Sequence, residues 1–182
     1  MNVLHHLCRP NLAAILSAGI ALTISSCGSS KLEPEVKPLS QEPQHKQSAT
    51  LAANGKAYAP PEAPYRVHLM VAAANELVNK PYRFGGGHAT LYDSGYDCSG
   101  STSYVLHKGG LLNSPIPSGT FLNYGRAGYG KYVNIYARNG HVFLELCGLR
   151  FDTGGTTVST GPRWKPKPRS LNGYSVRHPA GF

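Results

Sequence analysis

Residues 67–78 (VHLMVAAANELV) carry apolar side chains at helical spacing, and Pro81 lies just beyond them. This pattern predicts a helix that ends before the proline. Residues 99–108 (SGSTSYVLHK) are more polar, but polar residues precede them and Gly109-Gly110 follows, so a second, capped helix is predicted. The pattern then changes period. Residues 132–137 (YVNIYA) and 141–147 (HVFLELC) read as strands, with Arg138-Asn139-Gly140 as the tight turn between them. Residues 149–152 and 174–177 predict shorter strands. Residues 81–87 form a Gly-rich turn, and 114–130, dense in Pro, Gly and Ser, read as loop. Helices first and strands later predict an α+β domain with an antiparallel sheet.

The first 64 residues follow another logic. Residues 1–10 are weakly basic, with Arg9 and the α-amino group, and 11–24 (NLAAILSAGIALTI) are apolar. That run is too short for a permanent membrane span, which needs about 20 residues, and fits the core of a secretory signal. It ends in Ile24-Ser25-Ser26-Cys27. This resembles the lipobox of bacterial lipoproteins, which implies that Cys27 is acylated and that 1–26 are removed. Gly28, with no Asp after the Cys, resembles lipoproteins sent to the outer membrane. The implied location is the cell envelope, on the periplasmic face of that membrane. Residues 28–64 hold six prolines and many Gln, Ser, Lys and Glu, with no aromatic before Tyr58. Such a stretch predicts an extended tether over 27–64, leaving 65–182 as the folded domain. No internal repeat is visible.

Composition narrows the function. The chain has 182 residues, 41% hydrophobic and 15% charged, which excludes both disorder throughout and a multi-span membrane protein. Net charge is +9; without residues 1–26 it is +8, from 17 basic and 9 acidic residues. Outside the cytoplasm that charge suits an anionic polymer or a membrane surface rather than nucleic acid. The four Cys make no CxxC pair, which argues against a zinc ribbon or a thioredoxin-type site. The His residues lack metal-ligand spacing, so neither a metal nor another cofactor is expected.

The chemistry concentrates at two points. Asp97-Cys98-Ser99-Gly100 puts a thiol in the first turn of the second helix, where free N–H groups and the helix dipole favour a thiolate. The same N–H groups can stabilise an oxyanion. His141 opens a predicted strand directly after Gly140 and can serve as the base for such a Cys. His107 stands nine positions after Cys98, on the far side of the helix, and cannot reach the thiol. His88 reads equally well as a cleft residue or a surface loop residue. Cys147, on a strand, reads as a buried apolar residue rather than a disulfide partner.

Pro81-Tyr82-Arg83-Phe84-Gly85-Gly86, then Asp97-Cys98-Ser99-Gly100, then Gly140-His141-Val142 resemble the NlpC/P60 cell-wall cysteine peptidases in order and spacing. The resemblance runs from Val67 to about Asp152. It implies a papain-like α+β core, with the nucleophile at a helix N-terminus packed on an antiparallel sheet. It implies hydrolysis of peptidoglycan stem peptides, commonly between γ-D-glutamate and diaminopimelate, through an acyl-enzyme. Cys98 is then the nucleophile, His141 the base and Tyr82 the tyrosine beside the nucleophile. Arg83, Asp97 and Ser99 become substrate-binding candidates. Where relatives often carry a His about a dozen residues after the base, this chain has Leu149-Arg150-Phe151-Asp152, and Asp152 is the nearest match. Its carboxylate can orient the imidazole; the other reading is a turn Asp before Thr153-Gly154-Gly155, with Asn134 next in line for the role. The basic run from Arg163 to Arg169 has no counterpart in the family and reads as solvated or as a contact for acidic wall polymer. Two other functions share these features: an acyltransferase using the same site, and a wall-binding lipoprotein without catalysis.

Cys27→Ala is expected to release the protein from membranes. Acyl chains contribute about 0.8 kcal/mol per buried CH₂, and stable anchoring takes more than one chain. Fractionation of the variant with membranes would overturn the lipobox reading.

Overall fold

The helical spacing of 67–78 produces a helix, α1 (Tyr65–Leu77), that buries Val67, Met70, Val71, Ala74 and Leu77 on one face. The computed structural model describes residues 48–154, 161–166 and 168–182. The expected signal segment 1–26, Cys27 and the expected tether as far as residue 47 lie outside the described residues.

The second helix, α2 (Cys98–Lys108), has few large apolar residues, yet every residue from Ser99 to Leu106 is buried. Its small hydroxyls make that possible because each finds a partner. Ser101 Oγ donates to the Asp97 carbonyl at 2.8 Å and Thr102 Oγ1 to the Cys98 carbonyl at 2.9 Å. Ser103 Oγ accepts from Ile116 N at 3.1 Å. A buried hydroxyl without such a bond would cost about 1–3 kcal/mol. At the other end, Arg66 of α1 donates to the carbonyls of Gly109 and Gly110 at 2.6 and 2.5 Å. These bonds satisfy carbonyls that a helix C-terminus leaves unpaired.

Six strands form one antiparallel sheet: β3 (Arg126–Ala127), β4 (Val133–Arg138), β5 (His141–Leu146), β6 (Leu149–Asp152), β7 (Arg163–Lys165) and β8 (Ser175–His178). Their order is β3-β8-β4-β5-β6-β7. The fold class is therefore α+β, with α2 packed against the sheet, as the element order predicted. The register divides the sheet's two faces. Val133, Ile135 and Ala137 lie opposite Leu146, Leu144 and Val142, and these six join the helices in the core. The alternate positions Asn134, Tyr136 and Arg138 lie opposite Glu145, Phe143 and His141. Alternation along a strand thus sets a polar and aromatic face, with His141 at its end, against an apolar one.

Three segments differ from the sequence reading. The folded part begins before residue 65: β1 (Thr50–Leu51) and β2 (Ala57–Tyr58) pair as a hairpin. Asn75 of α1 explains why. Its amide donates to Ala57 O and accepts from Ala57 N, both at 2.8 Å, and its oxygen also accepts from Trp164 Nε1 at 2.8 Å. One half-buried amide thereby joins β2, α1 and β7. Second, the basic run expected to be solvated contains β7, with Trp164 buried against Phe151 at a ring distance of 5.0 Å. Third, the loop 114–130 contains a 3₁₀ turn, Thr120–Asn123, and β3.

The Gly-rich turn and the start of α2 approach backbone to backbone. A Cβ on Gly100 would lie 2.0 Å from Gly86 O, and one on Gly86 would lie 2.3 Å from Gly95 O. Gly100→Ala is therefore expected to destabilise the domain by about 2–4 kcal/mol, because a backbone carbonyl must move. Urea unfolding followed by circular dichroism measures this; a variant as stable as wild type would contradict the packing described.

Candidate active site

Asp97 begins the site. Its backbone is extended and its side chain caps α2, accepting from Gly100 N at 2.7 Å and from Ser99 Oγ at 3.1 Å. Its other oxygen accepts from Gly85 N at 3.0 Å. His88 Nε2 lies 3.1 Å from Asp97 Oδ1 and 3.0 Å from Ser99 Oγ. The cap thus ties the Gly-rich turn to the helix start and sets Cys98 as the first helical residue. The neighbouring strand-like contact repeats the tie: Tyr82 bridges Tyr96, with Tyr96 N donating to Pro81 O at 3.0 Å.

His141 reaches Cys98 from the first position of β5. Its Nε2 lies 2.9 Å from Asp152 Oδ1. An ionised carboxylate only accepts, so Nε2 carries the proton and Nδ1 is the nitrogen left for the thiol. Burial lowers the imidazole's proton affinity, but hydrogen bonds to Asp152 and Cys98, and the charges of both, outweigh it and raise the pKa to about 9.

Asp152 ends β6, with its side chain wholly buried. Four donors converge on it. Oδ1 accepts from His141 and from Gly154 N at 2.7 Å. Oδ2 accepts from Arg150 Nη1 at 3.0 Å and from Arg169 Nη1 at 2.7 Å. Burial pushes its carboxyl up, while His141, Gly154 and Arg169 together pull it below the ordinary carboxylate range. Arg169 also stacks between two rings, 5.2 Å from the Phe143 centroid and 5.3 Å from that of Tyr174. Its Nη1 approaches His141 Nε2 to 3.4 Å. Both atoms carry protons, so this is a contact of charge with ring rather than a hydrogen bond. A Cβ on Gly154 would meet Arg169 Nη1 and His141 Nε2, each at 3.1 Å, so a larger residue in the turn after Asp152 would crowd both.

A cleft of about 400 Å³ opens beside the thiol, lined in part by Tyr82, Phe84, His88, Cys98, Pro117 and Gly140. Burial, followed by the charges of Cys98 and Asp97, raises the Tyr82 phenol above its ordinary value. Phe84 is 89% exposed at the cleft rim.

Of the residues singled out from sequence, Cys98, His141, Asp152, Tyr82, Asp97 and Ser99 come together here. Arg83 does not line the cleft; it pairs with Asp93 at 3.2 Å and approaches Ser94 Oγ at 3.4 Å. Tight backbone pairing with Tyr96 turns its side chain toward that loop. Asn134 is held by Gly130 N at 2.7 Å and donates to Glu145 at 3.1 Å, which occupies it away from the imidazole. Cys98 and Cys147 are both free thiols. Cys147 is buried, and burial first, then the Glu62 charge, pushes its thiol up to about 11, so it is inert. Sequence reasoning missed Arg150 and Arg169. The first was legible, because residues two apart on a strand share a face. The second depends on the chain after β7 folding back over Phe143.

No family model matches the chain, and no curated protein matches it. Among solved structures it is similar to the peptidoglycan hydrolase RipB from Mycobacterium tuberculosis, at 23% identity and a TM-score of 0.48, over 64% of this chain and 68% of that one. It is also similar to RipD from the same organism, described as a non-catalytic NlpC/p60 domain protein adapted to peptidoglycan binding. The identity there is 20% and the TM-score 0.47, over 64% of this chain and 98% of that one.

The His141–Asp152 pair makes stability depend on pH. An imidazole raised from 6.5 to about 9 on folding stabilises the fold fully below pH 6.5, and that contribution disappears as pH rises through about 9. Its size is on the order of 3 kcal/mol. Urea unfolding at pH 6 and pH 10 is expected to give a clear loss of stability in wild type and a much smaller one in Asp152→Asn. Equal slopes in the two proteins would contradict the pairing.

Proposed function

We propose that this chain is a cysteine peptidase of the NlpC/P60 type that hydrolyses amide bonds in peptidoglycan stem peptides. The observation that carries the reading is the line from a thiol at a helix N-terminus, through His141, to a buried carboxylate that is ionised and four-fold hydrogen-bonded. This is the arrangement that nucleophilic acyl transfer requires.

Cys98 loses its proton to His141 Nδ1, and the imidazolium is stabilised by Asp152 through Nε2. The thiolate attacks the amide carbon, and the carbonyl oxygen becomes an oxyanion. Gly100 N and Ser101 N are already held by Asp97, which leaves the first amides of the helix, at Cys98 and Ser99, to face that oxyanion. His141 Nδ1–H then protonates the departing nitrogen, the C–N bond breaks, and an acyl thioester remains. Water gives a proton back to His141 as its oxygen attacks the thioester. The products are the free acid and the regenerated thiol.

Tyr82 and Phe84 form aromatic walls for the peptide, and the Asp97–Ser99 pair borders the nucleophile. The motif resemblance supports peptidoglycan as the partner and the γ-D-glutamate–diaminopimelate bond as the one cut. The lipobox-like motif ending in Cys27 supports a lipid anchor in the cell envelope, at the periplasmic face of an outer membrane.

Digestion of purified muropeptides, followed by mass spectrometry, tests the reading. Wild type is expected to yield free-acid fragments, and Cys98→Ala to lose at least about a thousand-fold in rate while keeping its fold. The value of kcat/KM should fall as pH rises through about 9, where His141 loses the proton it must deliver. Uncut muropeptides with wild type would overturn the hydrolase; acyl groups transferred to an amine would replace it with a transferase.

A further inference from the structure

We propose that Arg169 is a positioning residue that sets the proton affinity of His141 through Asp152, holding the imidazolium in check by sharing the carboxylate's charge. The proposal deepens the catalytic reading above and rests on it for its purpose, but not for its test.

The geometry is specific. Asp152 has one oxygen for the histidine and one for the arginines: Oδ1 faces His141 Nε2 at 2.9 Å, and Oδ2 faces Arg169 at 2.7 Å. The guanidinium nitrogen on Oδ2 is also the one 3.4 Å from the imidazole. A cation so close to a ring that must itself become a cation opposes its protonation. Arg169 is fixed there by Phe143 and Tyr174, whose rings it faces, and Tyr174 in turn stacks against Arg138 at 4.9 Å.

Among the described residues, other charged and titratable groups lie around His141 and Asp152; farther back, Glu145 and Lys165 flank Arg150 as its register partners on β5 and β7. Cys98 faces it from α2, and Asp152 from β6, with Arg150 behind the carboxylate. Arg138 is its register partner on β4, and Tyr174 contributes an edge-on ring at 6.4 Å. Removing Arg169 leaves Asp152 held by Arg150 and by Gly154 N, so the carboxylate stays where it is and only the cation disappears. The sign of the effect follows: His141 should bind its proton more tightly. The consequence for catalysis is a histidine slower to release the proton and to act as base toward water, so acyl-enzyme hydrolysis would slow.

The experiment is an NMR titration of the His141 ring in the full chain, with the resonance assigned by comparison with His141→Gln. Arg169→Met keeps an unbranched apolar stem against the rings but removes the charge; Arg169→Lys restores the charge without the fork. The Met variant's midpoint is expected to rise by about one pH unit, and the Lys variant to return most of the way to wild type. Melting curves accompany both, and Arg169→Gln, which is also uncharged, takes the place of the Met variant if that is poorly folded: a midpoint above wild type supports the proposal, and one equal to or below wild type overturns it. A Met midpoint equal to or below wild type overturns it as well. No substrate enters this measurement. Absence of muropeptide cleavage by wild type would remove the catalytic reading and leave the titration to judge Arg169.

Discussion

A buried negative charge organises this domain. The Asp152 side chain has no exposure to solvent, and a carboxylate in that position is unfavourable by several kcal/mol unless its oxygens are filled. Four donors fill them, from four separate stretches of chain: His141 from β5, Arg150 from β6 itself, Gly154 from the turn beyond and Arg169 from the segment after β7. Each donor that satisfies the carboxylate is thereby located. The imidazole acquires one tautomer, and the chain leaving β7 is drawn back over Phe143. Removing the carboxylate would leave Arg150 and Arg169 without the acceptor they share, so the same group that orients the histidine also ties these two arginines together.

The thiol reaches this charge by a different constraint, close backbone packing. Gly86, Gly95 and Gly100 lack side chains because the turn, the segment ahead of the helix and the first helical turn touch through main-chain atoms. Asp97 then stitches turn and helix with bonds to Gly85 and Gly100. The helix start has no freedom to retreat from β5. Dense packing of this kind transmits position without needing a large core, and it suits a helix whose buried residues are mostly Ser, Thr and Gly.

The legible parts of the sequence were those in which local chemistry and tertiary role agree. Period and Pro81 marked α1; alternation around Arg138-Asn139-Gly140 marked β4 and β5; the Asp97 cap marked where Cys98 stands. Where the structure departs from the reading, the deciding partner lies far away in sequence. Residues 48–64 are mostly small, with no long apolar run and with three prolines, yet Ala57 is buried because Asn75, 18 residues later, completes both of its backbone bonds. Arg163-Trp164-Lys165 looks like a solvated basic run, but the central Trp164 turns inward at strand spacing while Lys165 lies beside the arginines around Asp152. Arg83 shows the converse: a motif position whose side chain is claimed by a nearby acid, Asp93, rather than by the cleft.

Arg150 and Arg169 bring two positive charges to one carboxylate, so the group behind His141 is net positive before the imidazole takes a proton. Protonation is favoured all the same, because distance weights the terms: the nearest anionic atom is 2.9 Å from Nε2, while the nearest guanidinium nitrogen is 3.4 Å away and shares its charge with Oδ2. Interaction with Cys98 is the second favourable term. An imidazolium here is thus supported by Asp152 and Cys98 and opposed from one flank. A lone His–Asp pair, without these cations, would hold the imidazole's proton more tightly. Two arginines weaken that pair without breaking it, and the chain supplies one of them from the same strand as the carboxylate and the other from its basic C-terminal run.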